Sequence, residues 1–200
     1  MLDVHLQGAY NVTGPAFRAM RENAPPSQRG EQGGGYGRIV MVTSVSGLFG
    51  NFGQTNYGTA KMALVGMMNT LKLEGAKYNI KVNTLAPTAA TRMTEDVMPP
   101  DLFAKLKPEF VAPLVLYLCS EACAETGQIL HAGGGFFNRI AVFSAPVVMV
   151  GDGQEAPTVE EIHRNWAKID RLEGSREYRD ANALLMDMLM PSSSTPAAQD

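Results

Sequence analysis

Tyr57 and Lys61 stand four residues apart in Tyr-Gly-Thr-Ala-Lys. On a helix that spacing puts a phenol and an ammonium on one face. A nearby ammonium favours phenolate over phenol, which makes a tyrosine usable as a proton acceptor or donor near neutral pH. Alone the pair is weak, because such spacings arise by chance. Ser44 adds a hydroxyl thirteen positions before Tyr57. Between them runs Gly47-Leu48-Phe49-Gly50-Asn51-Phe52-Gly53, a loop able to return a chain from a strand end to a helix start.

The elements that must position these groups are legible around them. Arg38 to Ser44 (RIVMVTS) carries four consecutive apolar residues and predicts a strand buried on both faces. From Thr55 to about Lys77, Tyr57, Ala60, Leu64, Met67 and Leu71 recur at helical steps. Gly75 and Asn79 mark the expected stop. Ile80 to Ala86, closed by Pro87, predicts a second strand. Strand, helix and strand at this spacing form a parallel βαβ unit with a right-handed crossover. Ser44 and Pro87-Thr88 then share the rim at the carboxyl ends of the strands, where open parallel sheets bind ligands. A helix over Pro113 to about Ala124 and a strand over Gln128 to Ala132 follow. Thr158 and Glu161 match a capping box that opens a helix running to Ile169. Towards the N-terminus, Leu6, Tyr10, Thr13, Phe17 and Met20 suggest a helical face. Pro15 leaves two readings, a helix beginning at Pro15 or a longer one kinked there.

Composition sets the outer bounds. The 200 residues hold 17 basic and 20 acidic side chains, a net charge of −3 that excludes a basic nucleic-acid-binding surface as the default. Apolar residues make up 45 % and charged ones 18 %, which predicts a packed core rather than a disordered chain. The longest apolar stretch, Ile140 to Val150, is broken by Ser144 and Pro146 and is too short for a membrane span. No signal peptide is visible at the start, and two cysteines, Cys119 and Cys123, make neither a disulfide framework nor a closed zinc site. A cytoplasmic setting is the default expectation. Asn23 to Gly37, dense in Pro and Gly, predicts a flexible loop, and Pro191 to Asp200 a disordered tail, around one domain over 1–190.

The run TSVSGLFGNFGQTNYGTAKMAL, followed by VNTLAP, resembles the short-chain dehydrogenase/reductase family. The stretches GNFGQTNY, NTLAPTAATRMTEDVMPPDL, LKPEFVAPLVLYLC and NWAKI extend the likeness to its acyl-CoA branch, the (R)-3-hydroxyacyl-CoA dehydrogenase units of peroxisomal multifunctional β-oxidation enzymes. The resemblance runs from about Asp3 to Ile169. It implies a Rossmann-like, doubly wound parallel α/β sheet, present here as its C-terminal portion with the catalytic strand and helices. It implies hydride transfer between NAD and a secondary alcohol, with NADP not separated from NAD, and a 3-hydroxyacyl-CoA substrate. A steroid or a 3-oxoacyl carrier-protein substrate is the alternative.

By position, the resemblance makes Tyr57 the base, Lys61 its electrostatic partner and a holder of the nicotinamide ribose, and Ser44 the group that orients the substrate oxygen. Pro87, Thr88 and Thr91 would line or reach the cofactor, and Met93 to Leu106 would form a mobile substrate lid. Most members have Gly where Thr88 stands. His5 occupies the place of an Asn that many members use in a proton relay; a lone histidine in a structural role is the alternative. A peroxisomal location follows if the source is eukaryotic. The family's helix pairing implies a homodimer or larger, with no nucleic-acid or membrane partner and no metal. The family's Gly-rich phosphate turn is expected upstream of Asp3, as is a strand partner for Arg38 to Ser44. On that expectation this polypeptide alone binds NAD poorly, and a catalytically silent fragment or dimerisation module is the rival from another class.

Overall fold

The computed structural model describes residues 1–23, 35–90 and 99–190, without the side chain of Leu102. It divides into two compact units, Met1–Ile140 and Ala141–Asp200. Most of the loop expected over 23–37, and all of the tail over 191–200, lie outside the described residues.

The first unit is an α/β sheet with helices on both faces. Strands β1 (Gly37–Val42), β2 (Ile80–Pro87) and β3 (Ile129–Gly133) run parallel, and β4 (Phe136–Ile140) pairs antiparallel with β3, in the order β1-β2-β3-β4. Among the described residues β1 pairs only with β2 and so lies at a sheet edge. Helix α3 (Thr55–Gly75) connects β1 to β2 and makes the expected parallel crossover. It ends where the glycine stop predicts, runs on as a tight turn over Ala76–Tyr78, and is closed by Asn79 in the left-handed region at φ 54°.

One core layer gathers Phe17 of α1 (Gly8–Glu22), Leu64, Val65 and Met68 of α3, and Met41, Ile80, Val82 and Ile129 of the sheet. On the opposite face Leu85, Val111 and Ala132 are buried with Val40, Leu114 and Val115, the last two from α5 (Ala112–Cys119). Alternate residues of β1 thus face opposite layers. The buried stripe of α3 is Ala60, Lys61, Leu64, Val65 and Met68, while Met67 and Leu71 are only half-buried. The spacing read from apolar residues alone therefore sits slightly off the true face, because a lysine occupies part of it.

Pro15 does not begin a helix. It lies inside α1, which a wider π-type turn over Asp3–Gln7 extends upstream. Gly14 precedes it, so one of the clashes that disfavour helix before proline, the one with a Cβ, is absent. Strand β4 and the short helices α2 (Val45–Leu48) and α4 (Pro100–Lys105) are further elements of this unit.

In the second unit, α6 (Val159–Ile169) opens on the expected capping box. The Glu161 N–H donates to Thr158 Oγ1 at 3.3 Å, and the Thr158 N–H donates to Glu161 Oε2 at 2.8 Å. Helix α7 (Ala181–Leu189) is capped by Asp180, which accepts from the Ala183 N–H at 2.9 Å. Ser144 and Arg176 exchange two backbone hydrogen bonds, and Asp187 takes both the Arg176 guanidinium and the Tyr178 hydroxyl. Among the described residues no helix is long and apolar enough to cross a membrane.

Candidate active site

The site begins where β1 ends. Thr43 is fully buried and does two things there: its N–H donates to the Leu85 carbonyl at 2.7 Å, and its hydroxyl donates to the Lys61 carbonyl at 2.7 Å. The first continues the sheet ladder; the second fastens the strand end to the middle of the candidate catalytic turn. Ser44 follows and caps α2, its Oγ accepting the Ser46 N–H at 3.1 Å. That bond uses a lone pair and leaves the hydroxyl hydrogen available to donate to a ligand oxygen.

Two glycines then bring α2 against α3. A Cβ built on Gly47 would lie 2.9 Å from the Met62 nitrogen and 3.1 Å from both the Gly58 oxygen and Lys61 Cβ. A Cβ on Gly58 would lie 3.0 Å from the Ser46 carbonyl. Backbone packs on backbone here, in the turn that separates Tyr57 from Lys61. Thr43 and the Gly47–Gly58 joint bracket Ser44 and hold it alongside that turn.

Within the turn, Lys61 Nζ lies 5.7 Å from the centre of the Tyr57 ring. Lys61 is 8 % exposed, and burial pulls its ammonium below the usual lysine range. One of its three N–H groups donates to the Val42 carbonyl at 2.8 Å. His5 packs edge-on against the Tyr57 ring, centroids 5.6 Å apart and planes at 86°. Burial first, and the Lys61 charge second, hold the imidazole below its ordinary value of 6.5, which favours the neutral ring. The structure therefore brings His5, Tyr57, Lys61 and the Ser44 segment together.

Pro87 and Thr88 end β2 on the same rim, since Val42 pairs with Leu85 in the parallel register. Thr91 lies outside the described residues, as does the first part of the lid expected over 93–106. The far end of that lid returns to the rim, where Ala90 N–H donates to the Leu106 carbonyl at 2.6 Å. Cys119 is exposed and Cys123 buried, both free, and no metal-holding cluster occurs among the described residues.

Two buried or half-buried polar residues had no role in the sequence reading. Asn83, in the middle of β2, donates to the Glu125 carbonyl at 3.0 Å and accepts the Gln128 N–H at 3.0 Å, tying down the approach to β3. His131 bridges Thr88 and Asn138. Their partners are more than 40 residues away or come from an unforeseen strand, and no local pattern signals either. The donor set fits the nicotinamide-ribose side of a dinucleotide: Lys61 keeps two ammonium N–H groups beyond its bond to Val42, beside a phenol and a serine hydroxyl.

Comparison with known proteins gives the family. A family model described as short chain dehydrogenase matches residues 1–101. A Mycobacterium tuberculosis protein named as a short-chain type dehydrogenase/reductase is 49 % identical over 179 residues, covering 88 % of this chain and 57 % of its own. Peroxisomal multifunctional enzyme A of Dictyostelium discoideum is 40 % identical over 97 % of this chain and 41 % of its own. The structure of full-length peroxisomal multifunctional enzyme type 2 from Drosophila melanogaster superposes with a TM-score of 0.78 at 33 % identity, over 94 % of this chain and 32 % of that one. The chain thus spans little more than half the length of the first of these, and less of the others.

Proposed function

This chain belongs to the short-chain dehydrogenase family, and on that premise we propose that its rim oxidises a secondary alcohol with NAD or NADP. A bound nicotinamide supplies the hydride acceptor. Tyr57 takes the proton from the substrate hydroxyl. Lys61 stabilises the phenolate form of Tyr57 that accepts this proton, and its two remaining N–H groups would hold the cofactor ribose. Ser44 donates its remaining hydrogen to the substrate oxygen and fixes its orientation. Neutral His5 packs on the phenol without adding a second positive charge beside Lys61, and is the candidate for passing the proton outward. Pro87 and Thr88 form the nicotinamide side of the pocket.

The observation that carries this reading is the buried Lys61 ammonium at the Tyr57 ring, with the segment that holds Ser44 tied to the same helix through the Thr43–Lys61 bond and the Gly47–Gly58 contact. For the substrate we propose a 3-hydroxyacyl-CoA, oxidised to the 3-oxoacyl-CoA. The support is the acyl-CoA-branch resemblance and the multifunctional enzymes among the similar proteins. A homodimer or larger is the proposed assembly; exposed Tyr10 and Val12 on α1 and Leu73 on α3 leave apolar surface on the helices that would pair.

The test is turnover of 3-hydroxyacyl-CoA with NAD, followed as NADH absorbance, beside a hydroxysteroid as the competing substrate. Tyr57→Phe should lower turnover by at least ~100-fold, the lower range for losing a general base, with the melting temperature unchanged. Turnover within threefold of the parent would sink the assignment of Tyr57.

A further inference from the structure

The β3–β4 hairpin carries a hydrogen-bonded pair, His131 and Asn138, that the proposed chemistry leaves unused. His131 and Asn138 stand directly opposite each other across the two strands, and His131 Nδ1 lies 2.9 Å from Asn138 Oδ1. The other ring nitrogen, Nε2, lies 2.9 Å from Thr88 Oγ1. Thr88 is the residue after Pro87 on the rim. Its backbone is pinned as well, the N–H donating to the Ala132 carbonyl at 2.8 Å. Gly133 permits that approach, because a Cβ there would lie 2.5 Å from the Thr88 carbonyl oxygen.

The direction of the chain follows from which atoms can donate. The Asn138 Oδ1 only accepts, so the hydrogen in that bond belongs to His131 Nδ1. A neutral imidazole with hydrogen on Nδ1 has a bare, accepting Nε2. The Thr88 hydroxyl must therefore donate to His131. With its one hydrogen committed, Thr88 Oγ1 offers the rim only lone pairs. An unpinned threonine would rotate and serve a ligand as donor or acceptor.

We propose that His131, held by Asn138, is a positioning residue that makes Thr88 an acceptor-only hydroxyl, matched to the N–H of a bound nicotinamide carboxamide. The role rests on the dehydrogenase reading above. It would select the orientation of the carboxamide, since a pinned Thr88 pairs with the amide NH2 and not with its carbonyl.

Two measurements on the protein as its gene encodes it test this. The first is nitrogen NMR of histidine-labelled protein at about pH 8, which reads the His131 tautomer without any cofactor. Hydrogen on Nδ1 is expected; it should persist in Asn138→Asp, which keeps an acceptor, and be lost or mixed in Asn138→Leu. Hydrogen on Nε2 in the parent overturns the proposal. The second is fluorescence titration with NADH and with its 3-acetylpyridine analogue, in which a methyl ketone replaces the carboxamide and no N–H remains. The parent should prefer NADH by roughly threefold to tenfold, the range for one hydrogen bond. Thr88→Val and Asn138→Leu should lose that preference, while Thr88→Ser and Asn138→Asp keep it, and thermal melts check that each variant is folded. NADH binding with an undiminished preference in Thr88→Val removes the role of Thr88 alone. A parent that does not bind NADH removes the dehydrogenase reading and this role together.

Discussion

The same chemical change, glycine to alanine, should act in opposite directions at two places along the α2–α3 pair. At Gly47 an added Cβ meets the Met62 nitrogen at 2.9 Å, and the Gly58 oxygen and Lys61 Cβ at 3.1 Å, where ordinary contact begins at 3.4 Å. These neighbours belong to two successive turns of α3, so no single side chain can swing aside. Helix α2 must retreat by about 0.5 Å, the difference between 3.4 and 2.9 Å. Overpacking of this kind costs about 1–3 kcal/mol. In a chain of this size each kcal/mol lowers the melting temperature by about 2–4 °C. Ser44 caps α2 and moves with it, away from Tyr57. A displacement of about 1 Å costs on the order of 100-fold in rate, so half of that should cost about tenfold.

Gly66 is the control: it is exposed on α3 with nothing within 4 Å of a built Cβ. Gly66→Ala should gain about 0.5–1 kcal/mol from helix propensity alone, with turnover unchanged. Thermal melts and alcohol-oxidation rates of both variants decide the matter. Gly47→Ala with the parent's melting temperature and a rate within twofold would refute the claim that this backbone joint sets the site. So would a Gly66→Ala loss as large as that of Gly47→Ala.

Other outcomes follow from the same geometry. Lys61→Met removes a desolvated ammonium but also the bond to the Val42 carbonyl, so stability measured by denaturant should stay within about 1 kcal/mol of the parent while turnover collapses. A large loss of stability would show that Lys61 is chiefly a structural residue. The folded-state pKa of His5 lies below its ordinary value of 6.5, so below pH 6.5 the unfolded chain binds more protons and stability falls as pH falls towards the folded-state pKa. His5→Gln should remove that part of the acid sensitivity, read as a smaller drop in melting temperature between pH 7.5 and 5.5; equal drops would rule His5 out. Thr158→Ala breaks the capping box and should cost about 1 kcal/mol locally, seen as faster amide exchange in the first turn of α6.

The parts legible in the sequence were those fixed by neighbours in the chain. Strands β1, β2 and β3 announced themselves as short apolar runs, α3 by its period and its Gly75–Asn79 stop, and α6 by its Thr158–Glu161 box. The missed hairpin had a signal too. Gly134 and Gly135 sit at φ 58° and 84°, the two positive angles of a tight two-residue turn, directly between β3 and β4. FFNRI hid the strand because it lacks apolar-polar alternation, four of its five residues being exposed. The passage of α1 through Pro15 was one of the two readings left open: local propensity disfavours it, and the burial of Phe17 in the core favours it.

The catalytic candidates divide in the same way. Ser44, Tyr57 and Lys61 are found by spacing because one strand–helix connection holds all three. His5 reaches Tyr57 from a different helix, and its place was reached only through the family resemblance. His131 and Asn138 belong to a hairpin that periodicity did not reveal, so the bond to Thr88 could not be read at all.

The groups that make this rim reactive also hold it together. Ser44 caps a helix with one lone pair and keeps its hydrogen for a ligand. Lys61 gives a backbone carbonyl to Thr43 and one ammonium hydrogen to Val42, and keeps two hydrogens for a ligand. Each side chain is oriented by part of its hydrogen-bonding capacity and acts with the remainder. A substitution that preserves only the acting atoms will therefore fail. Ser44→Thr keeps a hydroxyl and can still cap α2, but its added methyl enters a position only 9 % exposed beside the Gly47–Gly58 joint. Lys61→Arg keeps the charge but replaces a compact ammonium with a planar fork that cannot make the same bond to Val42 from the same backbone position. The tolerance of this site is set by packing around the reactive groups as much as by their chemistry.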